Sequence, residues 1–84
     1  MNVKVLYFAS LREALGVSGE DVELPAAVAT VGALRDCLAD RGEPWGALKT
    51  TKNLRIAVNQ ALTSPDASIR EGDEVAFFPP VTGG

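Results

Sequence analysis

Histidine is absent from this chain, and cysteine occurs once, at Cys37. A lone cysteine excludes an intramolecular disulfide. Without histidine or a second cysteine the usual zinc ligand sets cannot be assembled, so neither a bound metal nor a bound cofactor is expected. Ser-His and Cys-His nucleophile pairs are excluded on the same ground. Any chemistry must use carboxylates, backbone groups or the chain terminus. Cations are also scarce: eight basic residues face eleven acidic ones, a formal net charge of −3. That balance argues against nucleic acid, whose binders normally show a basic patch, and suits a basic protein partner better. No apolar run approaches the roughly 20 residues of a membrane span. The start, Met1-Asn2-Val3-Lys4, enters a strand pattern directly and lacks the form of a signal peptide, so a cytoplasmic chain with no membrane partner is expected.

What is present suffices for one small domain. With 84 residues, 46% hydrophobic and 23% charged, the chain has the composition of an ordinary globular protein and room for one sheet and one or two helices.

The most informative stretch is Phe77-Phe78-Pro79-Pro80-Val81-Thr82-Gly83-Gly84. Two prolines fix φ and donate no backbone hydrogen bond, so sheet pairing should stop at Phe78 and the chain should leave in an extended form. The residues after Pro80 span at most roughly 14 Å at about 3.5 Å each, with no Cβ on the last two. A domain over residues 1–80 and a flexible Gly-Gly tail over 81–84 are therefore expected. Glycine is common in frayed termini. An ordinary frayed end, however, does not need a diproline directly after a Phe-Phe strand.

Upstream, Val3 to Ala9 alternates as a strand with Val3, Val5 and Tyr7 on one face and Lys4, Leu6 and Phe8 on the other, more exposed one. Ser10-Leu11-Arg12-Glu13 fits a capping box that opens a short helix ended by Gly16. Asp21 to Leu24 alternates as a half-buried strand that Pro25 confines to an edge. The carboxylates of Glu20, Asp21 and Glu23 suit a charged edge better than a metal or acid-base site. Thr30 is placed to cap a main helix from Val31 to Arg41, stopped by Gly42, with Cys37 packed as an inert core thiol. Trp45 should tuck against the core as a lid. Leu54 to Val58 and Ala61 to Thr63 form a hairpin about Asn59-Gln60. Turn clusters then surround Ala67-Ser68-Ile69, and Glu74 to Phe78 is the last strand. By parity Val75 and Phe77 face the core while Phe78, like Phe8, is exposed. If the first and last strands are neighbours, Phe8 and Phe78 make an apolar patch of the kind that marks a partner surface.

The order strand, short helix, strand, long helix, hairpin, final strand and Gly-Gly tail resembles the ubiquitin-like β-grasp sulfur carriers, and among them the small subunits of molybdopterin synthase. The matching residues are Val3 to Ala9 with Arg12-Glu13, Ala57-Val58-Asn59-Gln60, and Gly72 to Gly84. The resemblance implies an α+β fold: a mixed sheet with the first and last strands parallel at its centre and one main helix across it. It implies a subunit that is not catalytic alone. The Gly84 carboxylate would be adenylated by an adenylyltransferase similar to the ubiquitin-activating enzymes, which uses ATP. With a sulfur donor protein it would become a thiocarboxylate, and inside the large catalytic subunit it would give sulfur to cyclic pyranopterin monophosphate in molybdenum cofactor biosynthesis. Gly83 would let the tail, with Val81 and Thr82, pass a narrow channel. Phe8, Leu62 and Phe78 fall where such carriers hold their partners, although Leu62 would fit the hairpin core nearly as well. Arg12 and Glu13 match too, as contacts or as a helix cap. A ubiquitin-like protein modifier and a sulfur carrier for thiamine synthesis are the alternatives, and the Phe-Phe-Pro-Pro-Val-Thr run favours the molybdopterin pathway over the latter.

Overall fold

Strands from opposite ends of the sequence meet in the middle of the sheet. The computed structural model describes residues 1–80; the expected tail of Val81, Thr82, Gly83 and Gly84 lies outside the described residues. The elements are β1 (Asn2–Tyr7), α1 (Ala9–Leu15), β2 (Gly19–Glu23), α2 (Val31–Ala39), α3 (Ala47–Thr50), β3 (Arg55–Val58), β4 (Ala61–Thr63) and β5 (Glu74–Phe78). Among the described residues the strands form one sheet in the order β2-β1-β5-β3-β4. β1 and β5 run parallel, with Val5 opposite Val75 and Tyr7 opposite Phe77, and every other pairing is antiparallel.

Alternation decides which face is covered. Val3, Val5, Tyr7, Ile56, Val75 and Phe77 are buried on one side of the sheet, against Val31, Leu34 and Leu38 of α2, Leu11 and Leu15 of α1, and Leu48 of α3. Each such aliphatic or aromatic side chain contributes about 1.5–3 kcal/mol by leaving water. The Thr30 hydroxyl accepts from the Ala33 N–H and opens α2 as expected, while the N–H groups of Val31 and Gly32 donate to the carbonyls of Ala67 and Pro65. Gly32 suits this close approach, because a Cβ there would lie 3.0 Å from the Pro65 carbonyl oxygen and push it back by a few tenths of an ångström. Asn59 and Gln60 both take positive φ, 50° and 72°, the backbone of a tight two-residue hairpin turn.

Several expectations are corrected. Ser10 does not cap α1. The Phe8 N–H still pairs with the Phe77 carbonyl, so the chain turns only at Ala9, with φ 55°, and the Phe8 carbonyl accepts from Leu11 and Arg12. The first strand thus ends at Tyr7, and the second begins at Gly19, ahead of Asp21. α2 ends at Ala39, short of Arg41, although Gly42 does reverse the chain in the left-handed conformation. Cys37 is exposed, because Leu38 takes the inward position beside it.

Candidate partner interface

The sheet face opposite the helices carries side chains in three rows. Directly opposed residues share a face, so the pairs Leu6–Ala76, Ala76–Ala57 and Ala57–Leu62 make an aliphatic row across β1, β5, β3 and β4. On one side of it lies a charged row, in which Lys4 stands between Asp21 and Glu74. On the other side, at the strand ends from which Pro79 departs, Phe78 stands opposite Arg55 and meets Phe8 edge to face, with ring centroids 6.5 Å apart at 85°. The face therefore grades from charged, through aliphatic, to aromatic at the root of the tail.

The structure brings the expected side chains into one surface. Phe8 is 45% exposed and Leu62 65%, so Leu62 points outward and does not fill the hairpin core. Phe78 is half-buried, less open than parity suggested, because the Phe8 ring packs against it. Leu62 lies two strands from β5, about 10 Å across at roughly 4.8 Å per strand, in register with Ala57 and Ala76, which form the floor between it and Phe78 two residues further along. Gly19 continues that floor beyond Leu6: a Cβ there would stand 2.9 Å from Leu6 Cδ2. Arg12 and Glu13 are exposed on α1, and the α1 cap is made by the backbone of Phe8.

Behind the aromatic end, on the covered side, sits a cluster that sequence reasoning missed. Glu20 was grouped with Asp21 and Glu23 as a solvent-facing edge, yet it shares the parity of Val22 and turns toward the helices. Its carboxylate accepts from the Tyr7 hydroxyl at 2.9 Å and from both Arg41 nitrogens at 2.9 and 3.1 Å. The Arg41 guanidinium lies 4.4 Å from the centre of the Trp45 ring, and Trp45 meets Tyr7 edge to face at 5.6 Å, so Trp45 does close the core as a lid. Tyr7 in turn stacks on Phe77, the neighbour of Phe78. Burial pushes the Tyr7 phenol well above its ordinary value, and the hydrogen bond to Glu20 adds to that. Burial opposes ionisation of Glu20, but the bonds from Arg41 and Tyr7 outweigh it and hold the carboxyl below the usual range.

Parallel central strands, helices on one face and an uncovered apolar surface leading to the final segment define a ubiquitin-like β-grasp protein, α+β in class. The chain belongs to the ThiS family, which matches residues 5–84. It is 46% identical over 82 residues to the molybdopterin synthase sulfur carrier subunit of Escherichia coli, covering 98% of this chain and 99% of that one. To the subunit of the same name from Haemophilus influenzae it is 42% identical over 82 residues, with the same 98% and 99% coverage. Among solved structures it is similar to small archaeal modifier protein 1 of H. volcanii, with a TM-score of 0.77, 25% identity, and coverage of 95% of this chain and 98% of that one. It is also similar to a chain in the complex of subunits 1 and 2 of the molybdopterin-converting factor from Helicobacter pylori, with a TM-score of 0.67, 25% identity and full coverage of both chains.

Proposed function

We propose that this chain is the sulfur carrier subunit of a molybdopterin synthase, acting in the cytoplasm and not catalytic on its own. The observation that carries this reading is the near full-length identity with sulfur carrier subunits, 46% in one case. An α-carboxylate is ionised at neutral pH, with an ordinary pKa of about 3.5, and is a poor electrophile until a leaving group is attached. The Gly84 carboxylate therefore attacks the α-phosphate of ATP on a ubiquitin-activating-like adenylyltransferase, releasing pyrophosphate. The outer sulfur of a persulfide on a donor protein then attacks the acyl carbon and expels AMP; a thiol attacks the donor-side sulfur of the resulting acyl disulfide, so that the thiocarboxylate leaves and a disulfide remains on the donor. The thiocarboxylate sulfur is already an ionised nucleophile, so the carrier needs no base of its own. The subunit holds no cofactor in this scheme; ATP belongs to the activating enzyme.

The apolar face is the seat of the large catalytic subunit in this scheme, with Phe8, Leu62 and Phe78 as its main contacts. In this scheme Val81, Thr82, Gly83 and Gly84 are the segment that the partner receives, and Pro79 and Pro80, with φ fixed, precede it. The thiocarboxylate then transfers its sulfur to cyclic pyranopterin monophosphate inside that partner. The assembly of subunits 1 and 2 in the H. pylori relative supports this partner.

A second reading, a protein modifier joined through Gly84 to lysines, is favoured by the likeness to small archaeal modifier protein 1. One experiment separates the two. Incubated with the adenylyltransferase, ATP and a sulfur donor, the intact chain should gain the mass of sulfur replacing one oxygen at Gly84. An unchanged mass overturns the carrier reading, and ladders of covalent adducts with other proteins establish the modifier.

A further inference from the structure

The uncovered face carries two cations in different settings. Lys4 makes no ion pair among the described residues, but it is flanked in register by an acid on each side, Asp21 on one neighbouring strand and Glu74 on the other. Arg55 has no such balance. It is exposed at the first position of β3, its register partner is Phe78, and among the described residues it makes no ion pair. An unbalanced guanidinium thus stands beside the aromatic pair at the root of the tail, on a chain whose net charge is −3.

A guanidinium presents a planar fork of donors that matches a carboxylate in two parallel hydrogen bonds. One such cation beside an aliphatic row is not the stripe of positive charge that a nucleic acid requires. We propose that Arg55 makes this face selective for a partner that carries a carboxylate at the rim of the apolar surface receiving Phe78, the large catalytic subunit being that partner. This rests on the docking of that subunit proposed above and adds a residue that chooses among docking surfaces. The aromatic pair supplies apolar contact that any hydrophobic groove satisfies. Arg55 is left without a partner in a groove that lacks an acid, and its lost hydration then counts against binding.

The test is the affinity of the full chain for its cognate large subunit, measured by calorimetry at low and at high salt. Arg55→Gln should weaken binding roughly 3- to 10-fold at low salt and flatten the salt dependence, and Arg55→Glu should weaken it further. Lys4→Gln removes a cation from the same face and should change affinity less than about twofold. Arg55 is exposed, so the melting temperature of each variant should match that of the parent. Equal losses for Arg55→Gln and Lys4→Gln would indicate a long-range charge effect and overturn the local contact. Parent-like affinity and salt dependence for Arg55→Gln, with Phe78→Asp still weakening binding, would overturn this inference alone. Parent-like affinity for Phe78→Asp would remove the docking face, and this inference with it.

Discussion

Phe8 and Phe78 meet edge to face, at 85° and 6.5 Å between centroids, although one directly follows the first strand and the other ends the last. Edge-to-face pairs are worth about 0.5–1.5 kcal/mol beyond their buried area. A double-mutant cycle with Phe8→Ala and Phe78→Ala, read by urea denaturation, should show coupling in that range. Each single change should weaken binding of the large subunit by roughly tenfold or more, because aromatic anchors dominate such surfaces. Additive stability losses would show that the rings touch without supporting each other.

Leu62 tests the breadth of the surface. It is 65% exposed and lies across Ala57 and Ala76 from the aromatic pair. Leu62→Asp should leave the melting temperature within a few degrees of the parent while lowering affinity for the large subunit at least roughly tenfold. Unchanged affinity would confine the contact to the tail root.

Glu20 supplies a pH dependence whose sign follows from its surroundings. Its folded pKa lies below the ordinary 4.5. Its stabilisation is therefore fully present above about pH 4.5 and is lost as pH falls through the folded value. Glu20→Gln should cost about 1 kcal/mol at pH 7, a figure reduced for partial solvent screening, and progressively less as pH falls below about 4.5. Urea titrations at a series of pH values from 7 downward measure the difference. A constant gap would mean that the loss comes from packing and not from charge.

Asn59 joins the hairpin turn to the last strand. Its amide donates to Asp73 Oδ1 at 3.0 Å and its oxygen accepts from the Glu74 N–H at 3.0 Å, while its φ is 50°. Asn59→Gly keeps the backbone freedom and should lose about 1 kcal/mol for the bonds; Asn59→Ala should lose roughly another 1 kcal/mol for the strained φ. Equal costs would assign the role to the side chain alone.

Deleting Gly84, or adding a residue after it, should abolish sulfur transfer and leave the thermal melt unchanged, since among the described residues the last in the core is Phe77. Retained transfer would refute the role given to the terminal carboxylate.

The legible part of the fold was the part governed by local rules. Parity placed Val3, Val5 and Tyr7 on the covered face, Thr30 opened its helix, Asn59-Gln60 made its turn, and β5 ended at Phe78 before the prolines. Local signals failed where a distant partner overrode them. The Ser10 to Glu13 pattern is present, but pairing of Phe8 with Phe77 moved the start of the helix. Cys37 was expected in the core, but the turn of α2 places Leu38 inward and leaves Cys37 exposed. Glu20 read as one of three similar acids because Tyr7 and Arg41, which distinguish it, are far from it in sequence. The place of Arg55 beside Phe78 is a matter of register between strands, which no local pattern in the sequence carries.

The central place of β5 also bears on when the chain becomes competent during synthesis. Without Glu74 to Phe78, the sheet separates into β1 with β2 and β3 with β4, two pieces that share no pairing. Two-stranded pieces of this kind are marginal in water, and long-range pairing of this sort is slow to form. A growing chain on the ribosome therefore has neither a finished core nor an assembled face for a partner to seize. The strand that completes the domain is also the last one made, so the five-stranded sheet can close only after Phe78 has emerged.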